Sequence, residues 1–348
     1  MPYSRDNISR IAGYVPGEQP QGQPLIKLNT NENPYPPSPK VIEAVRNFDA
    51  ARLRLYSEPS ARIVREAAAK LYGVDAGRII CGNGSDDLLT IALRTFVGEG
   101  EKCAYTEPSY SLYPVLADLQ GAVRQPVELD DSFNLPANAW KQAEGAKLFL
   151  IARPNAPTGN SFPIENMRSI CKNFKGVVWI DEAYVDFAQD NCMALVDEFP
   201  NVVVSRTMSK SYSLAGIRLG IAGSSKENIF EMNKVKDSYN VDMITQFVGE
   251  AALNDTEYML RNAERIRETR KWLFEQLTAI GFQVLPSETN FIFAQPKHDA
   301  EMVFKTLKER GFLVRYFKLP RISQYIRITI GKREDMEAFV KCITEIDR

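Results

Sequence analysis

The sequence predicts an α/β protein: a large unit on a mainly parallel, doubly wound seven-stranded sheet, followed by a smaller α+β unit. Three observations carry that prediction. Seven short runs of β-forming apolar residues recur between positions 78 and 223, most of them separated by amphipathic segments, an alternation that gives a sheet covered by helices on both faces. The unusual polar residues gather just past the ends of these runs, where open α/β sheets collect their ligands. Beyond about residue 240 the pattern changes to one long charged helix followed by short strands and two further helices.

Residues 1–30, rich in Pro, Gly and Gln, read as an extended arm that packs with the smaller unit. They run into Lys27-Leu-Asn-Thr-Asn-Glu-Asn-Pro-Tyr-Pro-Pro-Ser-Pro39, too dense in Pro and Asn for a regular element; a linker and a site-lining loop both fit. Ser38 as N-cap and Pro39 at the first helical position then start a helix. Within the large unit, 31–240, residues 61–72 and 88–96 read as helices. Strands are expected at 78–81, 102–106, 122–127, 147–152, 176–181, 202–206 and 218–223. The smaller unit, 241–348, should hold helices at 256–280 and 300–310, strands at 282–285, 289–293, 312–315 and 325–330, and a closing helix.

Composition narrows the function classes. With 348 residues, 44% hydrophobic and 25% charged, the chain can bury a large core. A formal net charge of -1 argues against nucleic acid or an anionic membrane as partner and leaves small anionic ligands open. No run reaches the ~20 apolar residues of a membrane span and the start has no signal-like core, so a soluble, cytoplasmic protein is expected. The five cysteines are scattered, which favours reduced, mostly buried thiols. The single histidine, His298, argues against a His-based metal centre or triad, and no metal is expected.

The most informative stretch is Ser205-Arg-Thr-Met-Ser-Lys-Ser-Tyr-Ser-Leu-Ala-Gly-Ile-Arg-Leu-Gly220. Its Lys210 sits past a strand in a bend crowded with hydroxyls, with Arg218 nearby. Partial desolvation beside a second cation lowers an amine's pKa and suits it to form a Schiff base. Alone, the segment reads equally well as a solvated Ser-rich loop. Four more polar loops follow other strands: Gly82-Asn-Gly-Ser-Asp86, Glu107-Pro-Ser-Tyr110, Arg153-Pro-Asn-Ala-Pro-Thr-Gly159 and Asp181-Glu-Ala-Tyr184. All five should face one crevice.

Together these loops match what an aldehyde cofactor with a pyridine ring and a phosphate requires. Lys210 supplies the amine, and Asp181, at the end of an apolar strand, a carboxylate for the ring nitrogen. Tyr184 and Asn155 can hydrogen-bond a ring phenolate, and Tyr110 can stack on the ring. Gly84-Ser85-Asp86 opens a helix whose free N–H groups suit an anion, with Ser209 and Arg218 completing the cradle; Asp86 fits there if its N–H and not its carboxylate faces the anion. Singly, an Asp at a strand end is more often a cap, and a lone Tyr is more often packing.

On these motifs, together with Asn31-Glu-Asn-Pro34, Ser287-Glu-Thr-Asn-Phe291 and Ile326-Arg-Ile-Thr-Ile-Gly331, the chain resembles the fold-type I pyridoxal-phosphate-dependent aminotransferases. Within them it is similar to the members that act on histidinol phosphate. The resemblance implies an aspartate-aminotransferase-like fold and pyridoxal 5'-phosphate as cofactor. It makes Lys210 the Schiff-base lysine and acid/base, with Asp181 and Tyr184 beside it. Asn155, Tyr110, Ser85, Asp86, Ser209 and Arg218 become the remaining cofactor contacts. It further implies that Tyr56 reaches the partner subunit's cofactor in an obligate homodimer with shared sites. Arg327 would take the substrate carboxylate, Arg315 the substrate phosphate, and Tyr14 and Asn290 would line the pocket. The implied reaction passes the amino group of L-histidinol phosphate to 2-oxoglutarate. Aromatic amino acid transamination and threonine-phosphate decarboxylation on the same scaffold stay open. Arg153 and Ala156 depart from the family's usual loop, and Arg153 bears on the pocket's local charge.

Overall fold

The structure, a computed structural model, describes residues 3–19 and 25–346. Residues 1–2 and 20–24 of the expected arm, and 347–348 at the end of the expected smaller unit, lie outside the described residues.

In chain order the strands are β1 (Ile26–Lys27), β2 (Ile79–Asn83), β3 (Lys102–Glu107), β4 (Val123–Glu128), β5 (Ala146–Ala152), β6 (Val177–Asp181), β7 (Val202–Thr207), β8 (Leu219–Ser224), β9 (Gln283–Val284), β10 (Phe291–Gln295), β11 (Phe312–Leu313), β12 (Arg315–Tyr316) and β13 (Ile326–Thr329). Seven of them form one sheet in the order β2-β8-β7-β6-β5-β3-β4, in which only β8 runs antiparallel to its neighbours. The central strands are apolar throughout because both faces are covered. Alternate side chains enter different cores: Phe149, Ile151, Val178 and Ile180 pack on one side, and Leu148, Leu150 and Trp179 on the other. Full burial of each such side chain contributes roughly 1.5–3 kcal/mol, so this sheet is a rigid base for the loops at its edge.

β9, β10, β12 and β13 make a four-stranded antiparallel sheet, order β12-β13-β10-β9, with the 24-residue helix Thr256–Ala279 and the helices Ala300–Glu309 and Arg333–Ile346. The single strand expected at 312–315 is divided at Val314. β11 pairs in parallel with β1, whereas β12 pairs with β13, so the chain changes partners within one step. The arm contacts both parts of the molecule. Asn7 Nδ2, on the short helix Asp6–Arg10, donates to the Asp118 carbonyl at 3.1 Å on helix Leu112–Gln120, while β1 joins the C-terminal part through β11.

Two boundaries near the site differ from expectation. The helix after β2 begins at Ser85, directly behind the glycine, and runs to Phe96. Arg218 precedes its strand and has φ 54°, a left-handed conformation that turns its side chain out of the sheet before β8 starts at Leu219.

Candidate active site

A cavity of about 260 Å³ opens above the carboxyl ends of β3, β5, β6 and β7, and residues from all five strand-end loops line it. Its position follows from the sheet order. After β4 the chain crosses to the far side of β3 and then winds outward through β5, β6 and β7, so the connections on either side of that switch leave a crevice between them.

At one end of the cavity is an anion cradle. Helix Ser85–Phe96 has no side-chain cap, and Gly84, with φ 87°, turns the chain so that the first N–H groups face outward. A Cβ on Gly84 would lie 2.5 Å from Arg218 Nη2, and one on Gly220 would lie 2.5 Å from the Gly84 carbonyl carbon; only glycine allows this approach of strand, arginine and helix. Arg218 Nη1 donates to Ser209 Oγ at 3.3 Å, and Ser209 is tied to Thr207. The Asp86 carboxylate departs from expectation: it enters the cradle, accepting from Arg218 Nη2 at 3.2 Å and from the Tyr110 hydroxyl at 3.2 Å. Among the described residues the negative charge meeting Arg218 is the Asp86 carboxylate.

Lys210 stands on the cavity floor. Its Nζ donates to the Thr30 carbonyl at 3.1 Å and lies 5.8 Å from the centre of the Tyr184 ring. Burial, then Arg327, lowers its pKa to about 8; Arg218, the cation singled out from sequence, is a lesser influence because Arg327 comes in from β13. The bend is fixed from outside. Asn33 Nδ2 donates to the carbonyls of Lys210 and Ser211, and Ser211 Oγ donates to Asp186.

Asp181, at the end of β6, is buried, and burial raises its pKa to about 6. Hydrogen bonds to the carboxylate oppose that rise: from the Tyr113 hydroxyl at 3.0 Å, the Ala183 N–H at 3.2 Å and Ser205 Oγ at 3.5 Å. Tyr184 accepts from Asn31 Nδ2 at 2.8 Å, which leaves its own O–H free to donate into the cavity. Burial raises the pKa of this hydroxyl, keeping it protonated.

Across the cavity, Arg315 and Arg327 are directly paired residues of β12 and β13. Both guanidinium groups lie 5.4 Å from the Phe317 ring. Among the described residues no carboxylate bonds to either. Arg327 Nη2 donates to the Asn29 carbonyl at 2.8 Å, and among the described residues its buried Nε has no partner; Arg315 donates to the carbonyls of Val15 (3.1 Å) and Pro16 (3.3 Å). The arm segment carrying these carbonyls crosses the cavity mouth, with Tyr14 edge-on to Tyr110 at 5.9 Å.

Ser85, Asp86, Tyr110, Asp181, Tyr184, Ser209, Lys210, Arg218, Tyr14, Arg315 and Arg327 therefore share one cavity. Three expected site residues are not on its wall. Asn155 is fully buried; its Nδ2 donates to Pro108 O and Thr158 Oγ1, and its Oδ1 accepts from Ser109 Oγ, so it braces the loop from behind. Asn290 is likewise buried, giving its Nδ2 to the Asn31 carbonyl. Tyr56 is 80% exposed outside the cavity, stacked on Tyr239 at 4.5 Å. Arg153 adds no charge to the pocket: it is buried, with Nη2 on Asp190 Oδ1 and Nε on the Phe162 carbonyl, both at 2.6 Å.

The residue that sequence reasoning passed over is Asn31. With φ 56°, its side chain donates to Tyr184 and accepts from Thr329 Oγ1 on β13, while its backbone donates to Thr329 and accepts from Asn290, so this one residue couples the cavity floor to β13. Its signal was the Asx density of Asn31-Glu-Asn-Pro34, which marks a structured loop but names no partner. Tyr113 left no signal beyond its apolar helix.

A parallel-strand edge with a lysine of lowered pKa, a buried carboxylate and an anion cradle defines a class, and the chain belongs to it: the family Aminotransferase class I and II matches residues 23–343. A relative from Citrifermentans bemidjiense, histidinol-phosphate aminotransferase, is 46% identical over 344 residues, 98% of each chain. One of the same name from Synechocystis sp. is 44% identical over 343 residues, covering 98% of this chain and 97% of its own. The fold is shared with histidinol-phosphate aminotransferase from Sinorhizobium meliloti, solved in complex with pyridoxal-5'-phosphate, at a TM-score of 0.90 and 23% identity over 100% of this chain and 98% of that one. A tetra mutant of Thermus thermophilus aspartate aminotransferase shares it too, at a TM-score of 0.84 and 20% identity over 99% and 100% of the two chains.

Proposed function

We propose that the protein transfers the amino group of L-histidinol phosphate to 2-oxoglutarate, giving imidazole acetol phosphate and L-glutamate in histidine biosynthesis, with pyridoxal 5'-phosphate as cofactor. The observation that carries the reading is the facing arrangement of Lys210 and the pair Arg315 and Arg327, without carboxylate partners among the described residues, across one cavity. Both half-reactions bring anions to that wall. The phosphate of one substrate falls to Arg315 and the α-carboxylate of glutamate to Arg327, whose fork suits a bidentate pair. The relatives of 44–46% identity over nearly the whole chain support the same substrate.

The residues fit the cofactor. Lys210 would hold it through its amine, Asp181 would face the ring nitrogen and Tyr110 the ring, with Tyr184 donating to the phenolate. Ser85, Ser209 and Arg218 would take its phosphate, Asp86 then giving up Arg218. Bound there, the cofactor supplies an electron sink for the charge left when the substrate Cα loses its proton. Lys210, with its pKa lowered to about 8, moves that proton.

The enzyme acts in the cytoplasm as a homodimer with shared sites, Tyr56 reaching the partner's cofactor phosphate; its exposure outside its own cavity supports that role. Among the described residues no helix is long and apolar enough to cross a membrane. The division into an arm (1–30), a large unit (31–240) and a small unit (241–348) is part of the same reading. Side-by-side turnover of histidinol phosphate, phenylalanine and threonine phosphate tests the substrate. Turnover of histidinol phosphate at least tenfold above phenylalanine is expected; parity would move the protein to the aromatic class, and CO2 release from threonine phosphate to the decarboxylases.

A further inference from the structure

Asp181 is buried at the end of β6, yet its proposed task requires it to stay ionised. Two of its supports are local: the Ala183 N–H two residues on and the adjacent-strand Ser205 at 3.5 Å, whose Oγ is itself held by Trp179 Nε1 at 3.0 Å. The third comes from elsewhere. Tyr113, fully buried on helix Leu112–Gln120, reaches down to Asp181 Oδ2 at 3.0 Å. Its ring also meets Tyr110 edge-on at 5.6 Å, so the same side chain touches the residue expected above the cofactor ring and the one expected at its nitrogen.

We propose that Tyr113 is a positioning residue of this site: its hydroxyl, donated to Asp181, keeps that carboxylate ionised and aimed at the cofactor ring nitrogen. The inference rests on the reading of Asp181 given above. A hydroxyl donating to a buried carboxylate favours the charged form and opposes desolvation. Of the groups that act most strongly on Asp181, the Tyr113 hydroxyl favours the carboxylate, while Asp86, on helix Ser85–Phe96, favours the protonated carboxyl. Tyr184, on its own loop, and the cations Lys210, Arg218 and Arg327 line the same cavity. The Tyr113 hydroxyl itself stays protonated, since burial and Asp181 both raise its pKa.

The test is the affinity of the apoenzyme for pyridoxal phosphate, titrated by absorbance from about pH 6.5 to 9 for the native chain, Tyr113→Phe, Asp181→Asn and the double variant, with circular dichroism confirming the fold of each. Loss of a hydrogen bond to a charged group costs about 10- to 150-fold where the carboxyl is fully protonated, and because the Asp181 pKa starts from about 6, the part felt in Tyr113→Phe is roughly 4- to 40-fold weaker binding near pH 6.5. The deficit shrinks as pH rises, because the unsupported carboxyl, with its pKa moved up from about 6, ionises again. In the Asp181→Asn background Tyr113→Phe changes affinity less than about threefold, since the group it acts through is no longer charged. A loss that is independent of pH, or equal in both backgrounds, reduces Tyr113 to packing and overturns the proposal, as does no loss at all. If Asp181→Asn alone leaves binding unchanged, the role of Asp181 falls first and this inference falls with it.

Discussion

Arg315→Ala separates a phosphate-specific pocket from a general one. The Arg315 guanidinium is half-buried, stacks on Phe317 and donates to two arm carbonyls, so it is already oriented toward the cavity. A fully desolvated charge pair would cost about 2–5 kcal/mol to break. Partial exposure lowers that toward the range of one charged hydrogen bond, about 1.5–3 kcal/mol, or roughly 10- to 150-fold. The two arm contacts are lost for every substrate alike, so the difference between substrates isolates the anion. Steady-state kinetics should show KM for histidinol phosphate rising by that factor with kcat little changed. For phenylalanine, whose carboxylate meets Arg327, kcat/KM should fall by less than about threefold. Equal losses for both would refute the reasoning and assign Arg315 to holding the arm.

Lys210→Ala should abolish turnover and remove the near-visible absorbance of lysine-linked cofactor from purified protein; a spectrum unchanged by the substitution would refute the assignment of the amine. The lowered Lys210 pKa also makes a stability prediction. Between about pH 8 and the ordinary lysine value of 10.5 the unfolded chain binds the extra proton, so apoenzyme stability rises with pH across that window, and Lys210→Met should flatten this rise in thermal unfolding. Gly84→Ala should weaken cofactor binding at least tenfold while leaving secondary structure intact, because its Cβ meets Arg218 and its φ is 87°; native affinity would exclude the cradle. Mixing Tyr56→Phe with Lys210→Ala subunits creates heterodimers with one intact composite site, and regained activity above either parent is expected; none regained would argue against shared sites.

Much of the architecture was legible because its signals are local. Alternating apolar runs such as Val177-Val-Trp-Ile-Asp181 specify strands buried on both faces, and a strand's end is where its last apolar residue gives way to polar ones. This placed Lys210, Asp181, Tyr184 and the Gly84-Ser85-Asp86 helix start at strand ends, where their joint occurrence, and not any one of them alone, marked a site. The parts that stayed hidden are set by approach between distant segments. Asn155 was named for its place in a loop, but the hydrogen bonds that occupy it come from that loop's packing on Pro108 and Ser109. The cation nearest in influence to Lys210 is Arg327, 117 residues further on, rather than Arg218.

By itself, then, the sequence determined the class of fold, the lysine and the set of strand-end loops, since periodicity and turn chemistry are written within short windows. Only the tertiary structure decided that the Asp86 carboxylate enters the cradle, that Asn31 holds Tyr184, that Arg315 is held by the arm, and that Tyr113 donates to Asp181. Those outcomes depend on which buried polar group finds which partner. Most buried donors and acceptors find partners in whatever the packed chain brings within about 3 Å, and no local pattern records that choice.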